Sequence, residues 1–139
     1  MAIPNTFTNG TVADAGEINE NFEESWGYPK VLHYGTTATG QAFTPTKSDS
    51  RIVVWVSGQW DAAQSVGASS TNIDLDIDSV TKDTKSIYEY HHTANVSIKI
   101  PFSLLWSDTD LSTSETDIDI TTSSGSISNV KIIVMEYIK

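Results

Sequence analysis

The run Ile73-Asp74-Leu75-Asp76-Ile77-Asp78 alternates an aliphatic side chain with a carboxylate at every step. A period of two belongs to a pleated strand with one dry and one wet face, because successive Cβ atoms point to opposite sides. The pattern recurs where Ile98, Ile100 and Phe102 alternate with Ser97 and Lys99, and where Ile118 and Ile120 alternate with Asp117 and Asp119. Two other stretches, Ile52-Val53-Val54-Trp55-Val56 and Val130-Lys131-Ile132-Ile133-Val134-Met135, are apolar at both parities. A strand apolar on both sides is covered on both sides. A two-layer sandwich supplies one cover, so the second is expected from another subunit.

Working outward, strands are expected over Val31–Thr36, Arg51–Ser57, Asn72–Asp78, Ser86–His91, Asn95–Phe102, Glu115–Thr121 and Asn129–Tyr137. Turn-rich pieces separate them: GTTATG, PTKSDS, SGQWDAAQSVGASS, SVTKDTKS, SDTDLSTS and TTSSGSIS. A parallel βαβ sheet would need crossover helices, and no helical pattern intervenes. The expected fold is therefore an all-β, antiparallel jelly-roll β-sandwich over residues 30–139. Composition agrees. Ile occurs 14 times and Val 10 times against 5 Leu, and Ser plus Thr number 35; β-branched residues lose χ1 freedom in helices and pack well on pleated surfaces.

The chain has 139 residues, no Cys and a formal charge of −10. Such a length favours one domain. Without Cys there is no disulfide framework and no thiolate metal site. A pI near 4.4 disfavours nucleic acid, whose binding needs Lys and Arg to displace counterions. No run of about 18 apolar residues is present to span a membrane, and the opening MAIPNTFTNGT lacks the basic and apolar regions of a secretory signal.

Residues 1–29 differ from the remainder. They hold five acids (Asp14, Glu17, Glu20, Glu23, Glu24) and no base. Asp14-Ala15-Gly16-Glu17 reads as an N-cap with Glu at N3, and Ile18, Phe22 and Trp26 recur at i, i+4 and i+8 before Gly27 and Pro29 stop the pattern. A helix is expected over 14–26. Its apolar stripe is narrow, and about 12 residues is marginal for an isolated helix in water. Three copies would form a short seam worth roughly 5–8 kcal/mol per chain before ordering costs. That is enough if an already trimeric β domain raises the effective concentration of the arms. Glu23 and Glu24 oppose the macrodipole at the helix C-terminus, which fits an arm received by a basic socket.

The segment from Asn5 to Phe22, NTFTNGTVADAGEINENF, resembles one found near the start of many bacteriophage tail-fibre and related virion proteins. The likeness covers about residues 3–26. Residues 10–15 and 19–22 agree nearly throughout, and Gly16 stands where a larger residue is common. Asn95–Trp106 and Ile127–Tyr137 are more loosely similar to the C-terminal jelly-roll knobs of viral fibres. The resemblance implies a homotrimeric virion appendage on the particle surface. Its arm (1–29) would attach to a capsid or tail protein, and its knob (30–139) would project toward a host receptor.

Ile18, Phe22, Trp26, Val54 and Trp55 are the candidate trimer-interface residues. Trp60, in Ser57-Gly58-Gln59-Trp60-Asp61, and Trp106, in Leu105-Trp106-Ser107-Asp108, read as loop aromatics with polar rims. They are the candidate ligand residues for a host-surface glycan or protein. Asp74, Asp76 and Asp78 lie about 6.6–7 Å apart along a strand face, too far for neighbours to share a calcium ion easily. His91 and His92 point to opposite faces and cannot chelate one metal together. No nucleophile elbow, HExxH, P-loop or GxGxxG occurs. No catalytic residue, metal or cofactor is expected, and the chain does not read as an enzyme. Two alternatives stand beside the fibre: a capsid decoration protein without a receptor role, and a monomeric carbohydrate-binding β-sandwich.

Overall fold

The computed structural model describes residues 29–62, 66–92 and 97–138, and in it the alternating stretches form eight strands. They are β1 (Pro29–Gly35), β2 (Gln41–Phe43), β3 (Arg51–Asp61), β4 (Gly67–Ile77), β5 (Val80–His91), β6 (Lys99–Asp108), β7 (Thr116–Thr122) and β8 (Ser126–Tyr137). The pairing is antiparallel throughout, in two four-stranded sheets ordered β1-β8-β3-β6 and β2-β7-β4-β5. Every connection crosses between the sheets except β4–β5. That hairpin turns on Asp78 and Ser79, both at positive φ (49° and 64°), as a two-residue turn matched to strand twist requires. The expected arm helix, with Ile18, Phe22 and Trp26, lies outside the described residues.

The alternating residues meet between the sheets. Ile52, Val54, Val56 and Trp60 of β3 and Ile132 and Val134 of β8 face Ile73, Leu75 and Ile77 of β4 and Ile118 and Ile120 of β7. Each such side chain contributes about 1.5–3 kcal/mol by leaving water.

Several expectations change. β2 falls in a stretch with no periodic signal; it is three residues long and pairs only with β7. β5 begins at Val80, not Ser86, because Thr81–Lys85 belong to an edge strand and are polar on both sides. β3 runs on through Gly58 and Trp60 to Asp61, so Ser57–Asp61 is strand and not loop. Gly58 holds a buried position in the series because Phe102 packs against its backbone; a Cβ there would lie 2.7 Å from Phe102 Cζ. Opposite it, Asn129 adopts φ 51° in β8. The β3–β8 register shifts between Ser57 and Gln59, a bulge that turns the strand. Asn129 Nδ2 donates to Gln59 Oε1 at 2.7 Å across it.

Val54 is fully buried within the protomer. Its parity faces β4 and β7, so it is not available to a subunit interface, and that assignment is corrected.

Candidate functional site

Both aromatic ligand candidates sit on strands. Trp60 is 1 % exposed; its indole N–H donates to Ser124 O at 2.8 Å. Gly125, at φ 70°, lies over it so closely that a Cβ would meet Trp60 Nε1 at 2.6 Å. The β7–β8 turn thus seals Trp60 into the core, and it has no face for a ligand. Trp106 is on β6, half-buried against the core, with Lys82 Nζ 5.7 Å from its ring centroid. Nearby, Asp83 Oδ2 accepts the backbone N–H of Leu105 at 2.9 Å. Lys82 and Asp83 of edge strand β5 therefore close the flank of the sandwich against edge strand β6, and Trp106 serves that closure.

The outer face of β1-β8-β3-β6 is the most unusual surface among the described residues. Trp55 is 46 % and Leu105 60 % exposed, and Val31 and Tyr34 are more than half exposed. The register places them side by side: Tyr34 pairs with Ile133, Ile133 with Trp55 and Trp55 with Leu105, one row across all four strands. At about 4.8 Å per strand that row is roughly 14 Å wide. Beside it runs a second row, Val31, Met135 and Val53. Contiguous apolar patches of this kind mark interaction surfaces. The charges flanking the rows are mainly basic: Arg51 and Lys131 are exposed, and Lys99 lies 3.6 Å from Asp61. Trp55 was expected on such a face. Val31, Tyr34, Val53, Leu105, Ile133 and Met135 join it, and the both-parity pattern of 130–135 was the signal for the two on β8.

The outer face of β2-β7-β4-β5 has the opposite character. Asp74, Asp76, Asp117 and Asp119 lie there; neighbouring hydroxyls bind Asp74 and Asp76, and Asp119 Oδ1 accepts the Gly40 N–H. Thr84 Oγ1 donates to Asp74 Oδ1 (2.6 Å), Thr81 Oγ1 to Asp76 Oδ1 (2.7 Å) and Thr121 Oγ1 to Asp76 Oδ2 (3.2 Å). Among the described residues no group of three or more His, Asp or Glu is placed to hold a metal ion.

Where β7 ends, the β4–β5 hairpin runs on alone, and the step between them is a cavity of about 250 Å³. Ser70, Thr71, Asn72, Ser86, Ile87, Tyr88 and Ser123 line it. Thr71 Oγ1 is buried beneath, bonded to Thr122 Oγ1 at 2.7 Å. Tyr88 stands 69 % exposed at the rim. Tyr90, two residues on, meets the exposed His92 edge to face, with ring centroids 5.0 Å apart. The sequence carries no local sign of this groove, because three strands and a turn build it.

One carboxylate is structural. Glu136 is fully buried, and its Oε1 accepts the backbone N–H groups of Thr46 (2.7 Å) and Lys47 (3.2 Å). Burial pushes its pKa up, but the Thr46 and Ser50 side chains and the two N–H groups outweigh that and hold it below the usual carboxylate range. Ser50 exerts its pull from a buried hydroxyl that does not close a well-formed hydrogen bond. Glu136 thereby fastens the β2–β3 loop to the end of β8.

No protein-family model matches the chain, and neither the curated proteins nor the solved structures contain a match to it.

Proposed function

We propose that the chain is a homotrimeric virion structural protein, a fibre or spike whose arm attaches to a capsid or tail protein while its β domain projects as a knob. The observation that carries this reading is the uncovered apolar face holding Tyr34, Ile133, Trp55 and Leu105 in one row. Threefold packing of that face would cover it with identical surfaces. The basic residues around it spare the contact the repulsion expected of a chain with formal charge −10. Strand orders 1-8-3-6 and 2-7-4-5, with a crossing at nearly every connection, support reading the sandwich as an eight-stranded jelly roll. The likeness of residues 3–26 to phage-fibre arms supplies the virion assignment.

Light scattering on the full chain tests the assembly: a mass near 46 kDa, three chains of 15.2 kDa, is expected. A monomer at micromolar concentration overturns it. Particle incorporation tests the virion role. Deleting residues 1–28 is expected to leave a trimeric knob and abolish incorporation, and unchanged incorporation would remove the arm's function.

A further inference from the structure

We propose that the groove between Tyr88 and Ser123 is a binding site for a neutral glycan. A sugar ring presents an apolar C–H face bordered by hydroxyls. It is therefore held by one exposed aromatic face together with short side chains that both donate and accept hydrogen bonds. The groove offers that combination. Tyr88 is largely exposed at its rim, and its hydroxyl has no partner among the described residues. Asn72 Oδ1 accepts from Ser86 Oγ at 2.8 Å, which fixes the amide and leaves its N–H donors without a partner among the described residues.

Other ligand classes fit less well. The lining contains no charged side chain, and the same sheet face carries Asp74, Asp76 and Asp119, so a sialylated, sulfated or phosphorylated ligand meets repulsion without a compensating cation. A peptide adding as a strand at the groove needs free backbone groups on β4, and the β7–β8 turn has taken both of Asn72 and the carbonyl of Ser70. Ser123 N–H donates to Asn72 O, Asn72 N–H to Ser123 Oγ, and Ser124 Oγ to Ser70 O. Those bonds hold the groove floor still and leave side chains to do the recognition. Its volume, below the about 300–1,000 Å³ of drug-sized pockets, suits one sugar ring with the remainder of the glycan in solvent.

The site stands apart from the trimer, although three copies on one assembly would raise its avidity. The test is the full chain on an array of neutral glycans (glucose-, galactose-, mannose- and N-acetylhexosamine-terminated) alongside sialylated and sulfated ones, with the hits repeated in solution by saturation-transfer NMR. Binding to at least one neutral glycan is expected. Tyr88→Ala and Asn72→Ala should each weaken it tenfold or more, while Thr121→Ala, on the same face outside the groove, should leave it unchanged. Both groove side chains are exposed, and an unaltered melting temperature shows that the variants fold. Binding to acidic glycans only, no binding at all, or full binding by Tyr88→Ala overturns the site. The mass of the same sample separates the two readings: a trimer that ignores every glycan refutes the groove alone, and a monomer that binds refutes the assembly alone.

Discussion

The two sheets share one core and show water opposite surfaces. Across β1-β8-β3-β6 the outward positions are Tyr34, Ile133, Trp55 and Leu105; across β7-β4-β5 they are Asp119, Asp76 and Thr81, then Thr121, Asp74 and Thr84. Both sheets bury a comparable inner face of Ile, Val and Leu, so the fold requires neither outer surface. The apolar face is one a solitary protein has reason to avoid. The acidic face is one that keeps a protein soluble and repels neighbours. On the trimeric reading proposed above, this segregation gives contact with like chains to one side and leaves the other to solvent and ligands.

The strongest way to break this contrast is to place the same charge on each side. On the trimeric reading, Trp55→Glu combined with Leu105→Glu puts six carboxylates into the threefold contact, and the mass should fall to that of one chain with the fold intact. Thr121→Glu on the opposite sheet should leave the mass unchanged. Circular dichroism checks the fold and light scattering the mass. Equal behaviour of the two variants would erase the distinction between the faces.

A second comparison stays within β3. Trp60→Ala removes a sealed core indole and should cost about 3–5 kcal/mol in denaturant unfolding. Trp55→Ala, measured in a Leu105→Glu background at a concentration where light scattering gives the mass of one chain, should cost less than about 1 kcal/mol, because Trp55 is already 46 % exposed. Similar losses would mean that the outer face packs against something within the protomer.

The sequence displays this contrast only in part. Ile73–Asp78 is legible because a strand with one wet face writes its parity in charge. Ile52–Val56 is apolar at both parities and does not say which one turns inward, and Val54 and Trp55 separate only once β4 and β7 are in place. Trp60 is hidden by Gly58: the series Ile52, Val54, Val56, Gly58, Trp60 is unbroken in burial but not in hydrophobicity. Thr81–Lys85 is polar at both parities, since the inner side of an edge strand looks to the open flank, where Asp83 takes the N–H of Leu105. The Tyr88 groove is illegible for a further reason. Asn72 and Ser123 are about fifty residues apart in sequence, and only the end of β7 brings them together.

Glu136 belongs to neither outer face, and its pH response separates core anchoring from surface charge. Its folded pKa lies below the ordinary value of 4.5. Its contribution is therefore fully present above that value and is lost as pH falls through the folded pKa. Thermal melting should fall on acidification below about pH 4.5, and Glu136→Gln should flatten part of that decline. At neutral pH the variant should lose about 1–3 kcal/mol, the cost of weakening a buried hydrogen-bonded anchor. An unchanged acid limb would assign the acid sensitivity to other carboxylates.

The smallest effect has the opposite sign. Asp76 and Asp119 stand directly across from each other on β4 and β7, and like charges in that position oppose pairing. Asp119 Oδ1 also accepts the N–H of Gly40 at 3.2 Å, a bond that an amide oxygen retains. Asp119→Asn should therefore stabilise the protein by about 0.2–1 kcal/mol at low ionic strength. The gain should fade at 0.5 M salt, where screening already removes the repulsion. Stabilisation that persists in high salt would place the cost in desolvation and not in charge. Destabilisation would mean that Asp119 is tied into the hydroxyl lattice more firmly than its single bond to Gly40 indicates. The first outcome shows an acidic surface kept against a small but measurable stability cost, as expected of a face maintained for what it meets in solvent and not for the fold.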